Sequence, residues 1–245
     1  ELGRAFRRAF VPSPGNTLLV ADYNQIELRC IAHLSNDPGL LAAFDAGEDI
    51  HTAVASRTWG IPSKEVTPEL RNRAKMVAYG LAYGMEAYGL GQRLGLPTDE
   101  AAAILNAYFE AFPGVRDYMG RAVDEARGRG YTETLFGRRL RIPELNSSKF
   151  NVRQAGERQA MNAPIQGLAA DIFKVALVGI DRRLVTAGLI SRLVLQVHDE
   201  VILDVVPAEL EEVTELVTQT MTEAFLLNVE LAVDLATGST WADAK

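Results

Sequence analysis

Short apolar runs of strand length occur only near the two ends of this chain, and helix-period patterns fill the space between. "TLLVAD", Thr17 to Asp22, predicts a buried strand that leads into a helix. "LQVHDEVILDV", Leu195 to Val205, belongs to a hairpin over roughly 191–206, whose apolar runs flank a corner of His198, Asp199 and Glu200. Hairpin corners favour Asn-Gly or Asp-Gly because those residues tolerate positive φ. Here an imidazole and two carboxylates occupy the tip. Helical periodicity is read at 39–58, 68–83, 98–110, 113–128 and 151–188, and Pro164 should kink the last of these. A helix over 208–226 and a closing strand over 229–236 complete the pattern. Asn24 followed three residues later by Glu27 fits a capping box after the first strand.

A lone strand cannot satisfy its own backbone groups. The strand at 17–22 therefore needs the hairpin at 191–206, which the long helix brings back to it. The expected fold is α+β: an antiparallel sheet built from both chain ends, with a mostly helical insertion of about 100 residues.

Composition adds little: 48% hydrophobic and 23% charged residues are ordinary for a globular protein. No apolar run approaches the roughly 20 residues of a membrane span, and no signal peptide opens the chain. A single cysteine, Cys30, excludes an internal disulfide framework and a cysteine-based zinc site. The expected compartment is cytoplasmic, with no membrane partner. Charge adds more. The net charge is −7, yet Arg71 to Arg158 holds 14 basic and 10 acidic residues. A basic middle between acidic flanks points to a local surface that faces a polyanion, or else to a solvated arginine face.

Three constellations carry chemistry. Pairing the end strands brings Asp22, Asp199 and Glu200 to one sheet edge. Crowded carboxylates repel each other unless a cation neutralises them, and hard oxygen ligands suit Mg²⁺. Two such ions can activate an attacking oxygen and stabilise a leaving one. A capping aspartate and an acidic surface turn are the plainer alternatives. In "TPELRNRAKMVAYGLAYG", Thr67 is a plausible N-cap, and Arg71, Lys75, Tyr79 and Tyr83 recur every four residues on one side of the helix. The cations lie near the helix N-terminus, where anions are favoured, and rings follow. That layout fits a nucleoside triphosphate; a solvated basic turn with core tyrosines is the alternative. In "GERQAMNAPIQGLAAD", Arg158, Asn162 and Gln166 form a polar ladder suited to the DNA minor groove, or simply a solvated face.

Taken together, "DYNQIELR", "RNRAKMVAYGLAYG", "TLFGRR", "RQAMNAPIQGLAAD" and "VHDEV" resemble, in order and spacing, the polymerase domain of family A DNA polymerases, the bacterial DNA polymerase I type. The resemblance covers essentially the whole chain. It implies a palm from residues 1–45 and 146–245 and fingers from 46–145. It implies two Mg²⁺ ions held by Asp22 and Asp199, with Glu200 an accessory carboxylate. Arg71, Lys75 and His51 would contact the triphosphate, and Gln25 would lie near the nucleotide and primer end. Tyr79 would stack on the incoming nucleotide, Tyr83 would sit at the templating end, and Glu27 would exclude a ribose 2′-hydroxyl. Arg158, Asn162, Gln166 and His198 would line primer and template. The implied reaction is transfer of a deoxynucleotidyl group from a dNTP to a primer 3′-OH, in line, with pyrophosphate leaving.

The chain departs from the family pattern at Asn24, where serine is usual, and at Ala78, where asparagine is common. Tyr79 stands where many members have phenylalanine, and its hydroxyl is expected to admit dideoxynucleotides. The family's thumb, its upstream arginine-bearing segment and any exonuclease domain are expected upstream of Glu1, so this portion alone should grip duplex weakly. Two competitors follow: a palm-fingers module that binds nucleotide and metal without independent turnover, and a two-metal phosphohydrolase. The latter leaves the Arg71–Tyr83 stripe and Glu27 without a role.

Overall fold

A computed structural model describes residues 2–244. In chain order the elements are α1 (Leu2–Arg7), β1 (Thr17–Tyr23), α2 (Ile26–Ser35), α3 (Pro38–Asp45), α4 (Ile50–Trp59), α5 (Pro68–Ala82), α6 (Ala87–Leu94), α7 (Thr98–Ala111) and α8 (Pro113–Arg129). They continue with β2 (Tyr131–Glu133), β3 (Arg139–Arg141), α9 (Phe150–Thr186), β4 (Arg192–Val197), β5 (Glu200–Val205), α10 (Leu210–Thr222) and β6 (Val233–Gly238). The chain divides into two compact units. One comprises residues 1–26, 170–226 and 230–245; the other comprises 27–169 and 227–229.

The first unit is built on a four-stranded antiparallel sheet of order β4-β5-β1-β6. This is the α+β arrangement expected, with the first strand central and paired on both sides. Side chains alternate across a strand. Leu19, Ala21 and Tyr23 of β1, with Val201, Leu203 and Val205 of β5, are buried on one face. On that face the Tyr23 ring meets Phe173 edge-on at 6.3 Å, and its hydroxyl donates to the Met221 carbonyl at 2.7 Å. The other face carries Leu18, Val20 and Ile202 in a cluster with Trp241 and Ala244.

The second unit is helical apart from the small β2–β3 hairpin, which the periodicity does not anticipate. The helix expected over 39–58 is two helices. Gly47 takes φ 64°, and Asp49 starts α4 by accepting from the Thr52 amide at 2.8 Å. A glycine in left-handed geometry ends one helix and an aspartate cap opens the next, which an unbroken apolar period conceals. Helical backbone continues through Pro164. Helix α9 is long and apolar enough to cross a membrane by length and composition, with an 18-residue window of mean hydropathy 1.5. Yet 56% of that window is buried, as in the core helix of a folded domain.

Candidate functional site

The carboxylates of the first unit are placed by strand register. Asp22 pairs with Glu200 on β5 and with Asp234 on β6. Directly opposed residues share a face, with Cα atoms about 4.5–5.5 Å apart. Three carboxylates thus form a row across β5, β1 and β6. Asp199 sits in the two-residue turn just before β5, and its carbonyl accepts from the Tyr23 amide at 3.2 Å. Two non-glycine residues with left-handed backbone flank this end of the sheet: Gln25 at φ 57° and His198 at φ 55°. Such conformations cost on the order of 1–3 kcal/mol and persist where the surroundings impose them. The question raised by the hairpin tip is therefore answered locally. A histidine takes the position that glycine would take more easily, Asp199 follows it in the turn, and Glu200 opens β5 opposite Asp22.

Glu200 is 2% exposed, and Trp241 Nε1 donates to its Oε1 at 2.6 Å. Asn24 donates from Nδ2 to Asp234 Oδ2 at 2.8 Å, and its backbone amide donates to the Ala232 carbonyl at 2.8 Å. Asp234 and Trp241 lie outside the residues singled out from the sequence. Asp234 had one legible signal: it is a charged position within the apolar run of the closing strand.

In the second unit α5 runs from Thr67, whose hydroxyl accepts from the Leu70 amide at 3.2 Å, to Tyr83 at its C-terminus. Ala74, Val77, Ala78 and Leu81 bury the inner face. Arg71, Lys75 and Tyr79 recur on the outer side, and Tyr83 is 51% exposed. The rings are not packed away as core tyrosines. Arg71 makes a bidentate pair with Asp49, Nε to Oδ1 at 2.9 Å and Nη2 to Oδ2 at 2.6 Å. The Arg71 hydrogen bonds hold the Asp49 carboxyl well below its ordinary range. His51 follows in the first turn of α4, 2% exposed, with its ring 5.7 Å from that of Tyr79. Burial lowers its pKa to about 4; Asp49 opposes that shift, while Arg71 and Lys75 add to it. His51, Arg71, Lys75 and Tyr79 therefore form one cluster, with Asp49 as a member that the sequence reading passed over. The Asp49–Ile50–His51 spacing just before a helix was its available signal.

The Tyr83 hydroxyl donates to Glu27 Oε1 at 3.1 Å. The polar ladder of α9 lies against the C-terminal end of α5 and the segment that follows it. Arg158 Nη1 donates to Glu86 Oε1 at 3.0 Å, and Gln166 Nε2 to the Ala82 carbonyl at 3.4 Å. Asn162 is 8% exposed, and its buried Oδ1 has no hydrogen-bond partner among the described residues. Gly84, at φ 69°, packs so close that a Cβ there would lie 2.1 Å from Asn162 Nδ2. His198 is exposed.

Comparison with known proteins matches this chain across nearly its whole length. The family model described as DNA polymerase family A covers residues 1–243. DNA polymerase I of Mycobacterium tuberculosis (strain ATCC 25618 / H37Rv) is 52% identical over 242 residues, 98% of this chain and 27% of that protein. DNA polymerase I of Streptococcus pneumoniae serotype 4 is 49% identical over 247 residues, 100% of this chain and 28% of that protein. The chain thus spans about a quarter of the length of these curated relatives. A solved structure, the POL domain of Pol1 from M. smegmatis in complex with DNA primer-template and dNTP, superposes with a TM-score of 0.95 at 52% identity. It is covered over 100% of this chain and 43% of its own. A model match over 243 residues, with half the sequence identical to bacterial relatives, establishes that this chain belongs to DNA polymerase family A.

Proposed function

We propose that this chain is the catalytic portion of an enzyme of template-directed DNA synthesis, which transfers a deoxynucleotidyl group from a dNTP to a primer 3′-OH. Family A DNA polymerases are nucleotidyl transferases that use divalent metals. The observation that carries the reading is the antiparallel register that sets Asp22 against Glu200, one residue from Asp199. On this reading residues 1–45 and 146–245 serve as palm and 46–145 as fingers. A cytoplasmic location goes with it, since the relatives are bacterial DNA polymerase I proteins.

The donor set fits Mg²⁺. Asp22 Oδ1 is buried, and hard carboxylate oxygens lie side by side at strand ends. Among the described residues no three His, Cys, Asp or Glu side chains form a ready-made cage. Mg²⁺ is usually bound through one or two carboxylates, with waters and substrate phosphates completing its shell. Asp22 and Asp199 would hold the two ions, with Glu200 as accessory. When bound, the ions supply Lewis-acid polarisation of phosphate oxygens and a more acidic primer hydroxyl. Arg71 and Lys75 neutralise the triphosphate; Arg71 must exchange Asp49 for phosphate oxygens to do so. His51, neutral at physiological pH, lends a ring nitrogen beside them without adding charge. Tyr79 presents its ring to the incoming nucleotide, Tyr83 lies at the templating end, and Gln25 lies near the primer end. Glu27, held by Tyr83, blocks a ribose 2′-hydroxyl. Arg158, Asn162, Gln166 and His198 line primer and template.

Because the chain spans only 27% of its relatives' length, a second reading keeps these sites but without independent turnover. Extension of a primed template by one nucleotide separates the two. The first reading expects extension that Asp199→Ala abolishes. Absence of extension, with nucleotide and metal still bound, favours the second.

A further inference from the structure

We infer that Trp241 is a positioning residue of the carboxylate row: its indole N–H fixes Glu200, and the affinity of this sheet end for a divalent cation depends on it. The inference rests on the reading of Asp22 and its neighbours as a cation site.

Trp241 is built in from three directions. Its backbone amide donates to the Phe10 carbonyl at 3.0 Å, the Phe10 ring meets the indole edge-on at 5.4 Å, and the Arg7 guanidinium lies 5.0 Å from the ring centroid. Behind it a tight turn is closed by Ser239 and Thr240 hydroxyls donating to Asp243 Oδ2 at 3.0 and 2.9 Å. Gly238 is what lets this turn fold back, because a Cβ there would lie 2.6 Å from the Ala244 nitrogen. The ring itself packs with Leu18, Val20 and Ile202. Those residues alternate with the positions on the opposite face, so they share their face with Asp22 and Glu200.

An indole is a donor only. Held on both flanks, it points one N–H at Glu200 Oε1. A nearly fully buried carboxylate requires such a donor, and a fixed donor leaves the carboxylate one orientation next to Asp22. Partners that orient ligand groups from behind change metal affinity by about 10- to 100-fold when removed. Arg7 and Phe10 are thereby tied to this row of carboxylates through the indole.

The test uses the 245-residue chain labelled with ¹⁵N-tryptophan. Its two indole resonances are those of Trp241 and of Trp59, which lies in the other unit and serves as internal reference. Adding Mg²⁺ should shift the Trp241 indole resonance saturably and leave that of Trp59 in place. Mn²⁺ binding, read by electron paramagnetic resonance, should weaken about tenfold in Trp241→Phe, which keeps an aromatic ring but deletes the donor. The same substitution in a Glu200→Gln background should add little. An unmoved Trp241 resonance while Mn²⁺ binds, or a folded Trp241→Phe with unchanged affinity, overturns the inference and leaves the cation site standing. No Mn²⁺ binding by the wild-type chain overturns the cation site and the inference together. Should Trp241→Phe fail to fold, the wild-type resonance decides alone.

Discussion

His51 sits in the first turn of α4, almost fully enclosed, beside Tyr79 and within reach of the charges of Asp49, Arg71 and Lys75. Its Nδ1 is buried without a hydrogen-bond partner among the described residues. Burial brings its pKa from 6.5 to about 4. The unfolded chain therefore takes up a proton on this ring near pH 6.5, whereas the folded chain does so only near pH 4. Between these values the unfolded state binds more protons, so stability falls as the medium is acidified through that window. The whole fall is about 3 kcal/mol, and the steepest part, near pH 5, is about 1.2 kcal/mol per pH unit. Two other groups of the same unit act in the same direction. Burial also lowers the pKa of His33. Asp49, held ionised chiefly by Arg71, contributes stability that is lost in the more acidic range of an ordinary carboxylate and below. The diagnostic is consequently a difference between two proteins. Urea unfolding of wild type and His51→Gln, followed by circular dichroism and tryptophan emission from about pH 4.5 to 7.5, should give curves that converge on acidification. The wild type loses about 2–3 kcal/mol that the variant, with no ring to protonate, retains. Parallel curves would show that His51 carries its proton in the folded state, and the enclosed neutral imidazole would have to be abandoned.

Replacing Gly84 with alanine should cost about 1–3 kcal/mol, because φ 69° and the Asn162 amide both oppose a Cβ there; an unchanged urea midpoint contradicts this. Asp49→Ala removes both the α4 cap and the Arg71 pair. About 1–2 kcal/mol should be lost, most of it from the cap, since a half-exposed ion pair adds little; Asp49→Ser, which restores a cap but no charge, should recover most of it. Tyr79→Phe is expected to increase discrimination against dideoxynucleotides in primer extension with mixed substrates, and equal incorporation by both proteins would remove the proposed role of the hydroxyl.

Much of the site could be read along the chain because it rests on short-range periods. Arg71, Lys75 and Tyr79 are spaced by four, and one helix suffices to align them whatever surrounds it. The apolar runs ending at Asp22 and starting at Glu200 marked two strands, and the unmet backbone groups of the first demanded a partner. The break between α3 and α4 was hidden, since Ala, Phe and Leu continue a helical period up to the point where Gly47 and Asp49 interrupt it. With that break went the role of Asp49.

Local chemistry, then, settled which residue types stood at strand ends and along helix faces. Partnership across the chain was settled by folding. Register is a long-range property: shifting a strand by one residue turns every side chain to the opposite face, and no local pattern near Asp22 specifies that Glu200 and Asp234 flank it. The indole of Trp241 reaches Glu200 across 41 positions of sequence. Burial of a carboxylate, the donor that meets it and the lowered pKa of a histidine all depend on what lies beside a residue in space. Those neighbours exist only once the sheet and the helices have closed around them.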